Sequence, residues 1–113
     1  MFAYCKYHGI GIIPWGPLGG GRLARPLNAA ETTRSRLAAA TGWSHEEDAD
    51  REIIKRVEEI AAKRGKKMSQ ISLAWASRQV TSPIVGVNSI GRVDESVVDF
   101  ELTDEEAKYL EEP

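Results

Sequence analysis

Disulfide chemistry is excluded first: the 113 residues include one cysteine, Cys5, which has no partner within the chain. A lone thiol fits a reducing compartment, so the cytoplasm is expected. Long apolar runs are also missing, and none approaches the ~18 residues that a membrane helix requires. Residues 1–8 contain no apolar stretch that would read as a secretory leader. Charge of one sign is lacking as well. The formal net charge is -2, so neither nucleic acid nor an anionic membrane is an expected partner. His8, His45 and Cys5 are too few and too far apart for metal-ligand spacing. What remains is an ordinary globular composition, 42% hydrophobic, with charges that alternate in sign.

The most informative stretch is Ile10-Gly11-Ile12-Ile13-Pro14-Trp15-Gly16-Pro17-Leu18-Gly19-Gly20-Gly21-Arg22-Leu23. A short apolar segment bounded by turn signals reads as a buried strand, here residues 10–15, with a glycine-rich loop leaving it. Such a loop lets backbone N–H groups approach a ligand, because no Cβ intervenes. Those N–H groups can form a nest that binds an anion without a charged side chain. Trp15 closes the strand and offers a flat aromatic face. Taken alone, it reads first as a core tryptophan, and the glycines as a flexible connection.

Periodicity organises the rest. Residues 1–8 read as a helix end capped by Gly9. A short helix is predicted at residues 29–40 with Asn28 as its cap, inside a loop-rich and mobile insertion at about 23–47. Ile53, Ile54, Val57, Ile60 and Ala61 form one apolar stripe of a long helix. Its start carries Ser44 and Glu47 at capping-box spacing, with Asp48 or Asp50 as later caps, and Gly65 ends it. The surrounding acidic residues, Glu46 among them, read as a solvated helix start. The next helix is predicted from an Ser69 cap to about residue 79, followed by a second strand at 84–87. A short helix at about 92–98 comes next, then a last helix with a Thr103–Glu106 capping box, stopping at Pro113. That order suits consecutive units of a parallel sheet.

A second cluster gathers after the second strand. Asn88 and Ser89 precede a helix whose first N–H groups favour an anion. Arg92 lies one turn further and can present its fork to the same phosphate. The plainer reading is a capped helix carrying a solvated arginine.

Together these residues resemble the aldo-keto reductase family, most closely its fungal and aryl-alcohol dehydrogenase-like members. Trp15-Gly16-Pro17-Leu18 with Gly21-Arg22-Leu23 is similar to the end of that family's seventh strand. Pro83-Ile84-Val85-Gly86-Val87-Asn88-Ser89, followed by Arg92 and Glu95, is similar to the eighth strand and the helix after it. The resemblance implies an α/β fold: the C-terminal part of a (β/α)8 TIM barrel, about the last two units plus C-terminal helices, over residues 1–113. A complete barrel needs about 250 residues, so a truncated, incomplete barrel is expected.

The resemblance also implies NADP(H) as cofactor and a carbonyl compound as substrate of an intact barrel. Trp15 would stack on the nicotinamide, while Gly16, Leu18 and Gly20 would wrap the pyrophosphate. Asn88, Ser89 and Arg92 would hold the 2′-phosphate, with Glu95 and Ser96 beside the adenine. Gly16 replaces a usual serine and Ser96 a usual asparagine, which predicts a weaker hold. The family's Asp, Tyr, Lys and His tetrad has no counterpart, because Tyr4, Tyr7 and Tyr109 lie outside its motifs. No catalytic residue is therefore assigned, and the chain alone is expected not to catalyse. Two other readings stand: a non-catalytic fragment that binds nucleotide or pairs with a partner through exposed edge strands, and a remnant too small to fold.

Overall fold

The computed structural model describes residues 1–41 and 48–112. Its elements are α1 (Phe2–His8), a 310 segment (Gly19–Ala24), α2 (Thr33–Ala40), α3 (Asp48–Arg64), α4 (Met68–Gln79), α5 (Ile90–Ser96) and α6 (Asp104–Glu111). The core forms where the apolar stripes of α3, α4 and α6 meet. Ile54, Val57, Ile60 and Ala61 are buried along α3, and Ala107 and Leu110 along α6. Ile71 of α4 has no exposed surface and sits at the centre. α4 touches α3, α5 and the 310 segment, so it is apolar on more than one side, as an interior helix must be.

Helix ends follow from local chemistry. α3 closes at Gly65, where the Lys66 N–H reaches the Ala61 carbonyl at 3.0 Å and the Gly65 N–H reaches Ala62 at 3.3 Å. This arrangement satisfies carbonyls otherwise orphaned at a helix end. α4 starts from Lys67, not Ser69: Lys67 is extended, and the Gln70 side chain accepts its N–H at 3.1 Å. Ser69 thus lies inside the first turn. α2 begins at Thr33, later than predicted, because the Ala29 N–H is taken by Pro26 in a turn at 3.1 Å. The Arg25 guanidinium holds the Ala30 carbonyl at 3.0 Å, and α2 starts five residues after Asn28. α5 starts two residues earlier than predicted because Ser89 is its N-cap. The Ser44–Glu47 capping box and the Pro113 stop lie outside the described residues.

Neither predicted strand, 10–15 or 84–87, forms as a regular strand among the described residues: two segments, 10–15 and 81–84, are joined by a single parallel bridge between Trp15 and Ile84, so the second pairs ahead of its predicted place. The Thr81 and Ser82 N–H groups both donate to the Ile12 carbonyl, at 3.0 and 3.2 Å, and the Ile84 N–H donates to Pro14 at 2.8 Å. The Thr81 hydroxyl accepts the Ile12 N–H at 3.0 Å. The ladder is short of a donor at Pro14, which has no N–H to give, whereas Pro83 lies between the donors Ser82 and Ile84 and faces away from the pair. Among the described residues neither segment has another strand beside it.

Three arginines fasten α6 to the layer. Arg64 grips Glu106 in a fork, with Nε to Oε1 at 2.8 Å and Nη2 to Oε2. Arg78 donates to the Leu102 carbonyl and to Asp104, both at 2.6 Å. Arg56 donates to the Tyr109 carbonyl at 2.7 Å and lies 4.5 Å from that ring's centre. Glu106 also completes the predicted cap, accepting the Thr103 N–H at 2.9 Å and donating its own N–H to Thr103 Oγ1 at 3.2 Å. The Arg64 guanidinium is the main cause that pulls the Glu106 carboxyl down to about 2, with the Thr103 N–H adding to it.

A carboxyl depressed in the folded state contributes stability that is complete above the ordinary glutamate range and lost as pH falls toward the folded value. Unfolding free energy should therefore drop between about pH 4.5 and pH 2. Glu106→Gln should cost about 1–2 kcal/mol at neutral pH and flatten that acid limb, as chemical denaturation at stepped pH would read.

Candidate functional site

Trp15 ends the first segment with 74% of its surface exposed, outside the helical core of this chain. The chain then turns through Gly16 at φ 70°. Gly19 donates to the Gly16 carbonyl at 3.0 Å, and Gly21 and Leu23 both donate to Leu18, at 2.9 and 3.2 Å. Leu18 sits at φ −99°, ψ 14°, and Gly19, Gly20 and Gly21 follow at φ 56°, 70° and 98°. The Gly19 and Gly21 N–H groups are taken by the internal Gly16 and Leu18 carbonyls, so within the triplet it is the Gly20 N–H that none of these bonds engages. Only glycine adopts this run of left-handed conformations without strain. A Cβ built at Gly16, Gly20 or Gly21 meets nothing within 4 Å. The demand for glycine is thus conformational, and open space lies over the backbone. An extended, phosphate-bearing cofactor fits such a surface.

The second cluster stands on α5 and the residues before it. Ser89 caps the helix, its hydroxyl accepting the Arg92 N–H at 3.4 Å. Asn88, Ser89 and Arg92 are exposed. Glu95 is engaged in an ion pair with Lys67, at the start of α4. The Ser96 hydroxyl donates to the Arg92 carbonyl at 2.7 Å, a back-bond common for serine in helices. Both predicted adenine contacts therefore have internal partners.

Because Trp15 and Ile84 pair in parallel, residues 16–21 and 85–89 leave their segments at the same end. Trp15, Gly16, Leu18 and Gly20 follow one segment, and Asn88, Ser89, Arg92, Glu95 and Ser96 follow the other. Parallel α/β enzymes place their sites at this end, the carboxyl ends of the strands.

The glycine loop borders a cavity of about 270 Å³, with Gly19, Arg22 and Leu23 on the loop side and Ile53, Val57 and Trp75 on the helix side. Two contacts fix the loop's far end. Arg22 pairs with Asp50 at 3.3 Å, so Asp50 is more than a solvated helix start. The buried Ser72 hydroxyl lies 2.8 Å from the Leu23 carbonyl and 3.0 Å from the Met68 carbonyl, its one proton shared between the two acceptors. The sequence reading missed both anchors, although one signal was there: Ser72 is a lone polar residue in the apolar run Ile71-Ser72-Leu73-Ala74-Trp75.

The other residues weighed in the sequence stay apart from this end. His8 stacks near Tyr4 at 4.3 Å and Tyr7 at 5.0 Å. Tyr109 donates its hydroxyl to Glu59 at 2.8 Å, on the α3–α6 side. Cys5 is half-buried in α1. His45, Glu46 and Glu47 lie outside the described residues. Among the described residues no cluster of three metal-ligating side chains occurs, and no helix is long and apolar enough to cross a membrane.

The sequence profile of the Aldo/keto reductase family matches residues 1–113. The chain belongs to that family. It is 49% identical to the aldo-keto reductase dtxS3 of Metarhizium robertsii, over 99% of this chain and 31% of that protein. It is 39% identical to the putative aryl-alcohol dehydrogenase AAD16 of Saccharomyces cerevisiae, over 100% of this chain and 34% of that one. The chain thus spans about a third of the length of these curated relatives. Its fold superposes on the glycerol dehydrogenase AKR11B4 of Gluconobacter oxydans with a TM-score of 0.74 at 20% identity, covering 98% of this chain and 36% of that one. This aldo/keto reductase chain is therefore a part of that barrel fold, with its helices formed and a single bridge between Trp15 and Ile84 where strands were predicted.

In this aldo/keto reductase the glycine loop's shape rests on backbone conformation, which a single methyl group tests. Gly20→Ala, forced to hold φ 70°, should lower the urea-unfolding free energy by about 1 kcal/mol. The helical circular dichroism should not change.

Proposed function

We propose that this chain carries the cofactor-binding edge of an NADPH-dependent aldo/keto reductase that reduces aldehydes or ketones to alcohols by hydride transfer. The supporting observation is the parallel pairing of residues 10–15 with 81–84, from which both candidate motifs leave at one end. When bound, the reduced nicotinamide supplies the hydride for the carbonyl carbon. Trp15 presents its exposed indole face to that ring and keeps water from one side of it. The N–H groups around Gly16, Leu18 and Gly20 orient the pyrophosphate.

Ser89 and Arg92, with Asn88 beside them, bind the 2′-phosphate, the guanidinium doing so through two parallel hydrogen bonds. That contact selects NADPH over NADH, while Glu95 and Ser96 border the adenine. The acid that protonates the product oxygen belongs to the tetrad, which we assign to parts of the barrel outside this third. The chain alone therefore binds cofactor and does not turn it over.

A second reading has its own support. Ile10, Ile13, Trp15 and Ile84 on the paired segments are large and exposed, and Val87 follows close after. Unpaired strand edges with apolar side chains invite another chain, so pairing with a partner through these edges accompanies cofactor binding. Light scattering across a concentration series reads it, and a monomer at all concentrations would remove it.

Titration of the 113-residue chain with NADPH and NADH tests the main reading. The wild type should prefer NADPH, and Arg92→Ala should shrink that preference about tenfold, the scale of one charge-assisted contact. An affinity ratio unchanged by the substitution would overturn the assignment of Arg92.

A further inference from the structure

We infer that Ser72 is a positioning residue for the cofactor loop: its hydroxyl holds the Leu23 carbonyl and so fixes the glycine run that faces the pyrophosphate. The inference rests on the cofactor reading above and names a residue that does not itself touch the cofactor. Ser72 is 4% exposed and is the buried polar residue among the described ones. Its bond to Met68 is the local one a helical serine makes to the carbonyl four residues back. Its bond to Leu23 is different, since it spans 49 residues and reaches out of the helix. A serine set into the apolar run 71–75 must have a tertiary partner to offset its desolvation, and Leu23 is that partner.

The loop needs such an anchor. The Leu23 side chain packs against the core, but Gly19, Gly20 and Gly21 before it carry no side chains to do the same, and the loop borders a cavity of about 270 Å³. Its far end is held by the Ser72–Leu23 hydrogen bond at 2.8 Å and by the Arg22–Asp50 pair at 3.3 Å. The Leu23 carbonyl follows Gly21 by two residues, so an error in its place is passed directly to the N–H groups of the glycine run. Binding to a preorganised loop avoids the entropic cost of ordering it on contact. Ser72 thus acts on the pyrophosphate half of the cofactor and not on the 2′-phosphate half, which stands on α5.

That division supplies the test. The 113-residue wild type and Ser72→Ala are titrated with NADPH, and separately with adenosine 2′-monophosphate, which carries the adenine and 2′-phosphate but no pyrophosphate. Ser72→Ala should weaken NADPH about fivefold, the scale of one lost hydrogen bond, and leave the monophosphate unchanged. Equal weakening of both ligands would make Ser72 merely structural and overturn the inference, as would unchanged NADPH binding. A wild type that bound neither ligand would instead overturn the cofactor reading on which the inference stands. Should Ser72→Ala fail to fold, Asp50→Asn loosens the second anchor from a half-exposed position on α3. It should show the same selective loss, and a loss common to both ligands would again overturn the inference.

Discussion

Thr81 is the joint on which the rest of the candidate site depends. Its N–H donates to the Ile12 carbonyl at 3.0 Å, and its hydroxyl accepts the Ile12 N–H at 3.0 Å. One residue thereby closes both polar groups of the facing backbone. The position is set from behind, because Thr81 follows α4 by two residues and α4 is the most enclosed helix of the layer. The buried packing of α4 thus reaches the first extended segment through a pair of hydrogen bonds. From there the parallel direction carries Trp15 with its glycine loop and Ser89 with Arg92 to a common end.

Stability and function are separated along the chain. The buried residues lie on α3, α4 and α6 and in the approach to α6, while α1, the 310 segment and α5 contribute none. Full burial of a Leu, Ile or Val side chain contributes about 1.5–3 kcal/mol, so the helical layer supplies most of the favourable energy. The fork between Arg64 and Glu106 and the arginines at positions 56 and 78 lock α6 against it. The candidate site stands on segments that contribute little burial, which is where local opening is least costly. Polar anchors therefore matter more there than in the core: Lys67 to Glu95 for α5, and Arg22 and Ser72 for the glycine loop.

Most of the fold was legible because its signals are local. The stripe of Ile54, Val57, Ile60 and Ala61, the left-handed glycines at 9 and 65 and the Thr103–Glu106 box each involve residues within a few positions of one another. The family was legible from two motifs, Trp15 to Leu23 and Pro83 to Glu95. What could not be read was tertiary. Pairing between the two segments lacks a donor at Pro14, a consequence visible only once the segments are aligned. Ser69 looks like a better cap than Lys67 until Gln70 is seen to accept the Lys67 N–H. Glu95 reads in sequence as a neighbour of the adenine, yet Lys67, remote along the chain, stands against it. The anchors at Ser72 and Asp50 join residues that no periodicity connects.

The central claim is that one third of a barrel holds a native layer and, on its paired segments, a place for NADPH. Urea unfolding of the 113-residue chain, followed by tryptophan fluorescence with and without NADPH, tests it most directly. The account predicts one cooperative transition whose midpoint rises with NADPH, corresponding to about 2–3 kcal/mol when the cofactor stands a hundredfold above its dissociation constant. A smaller rise should follow with NADH. A gradual, non-cooperative curve, or a cooperative one indifferent to NADPH, would contradict it.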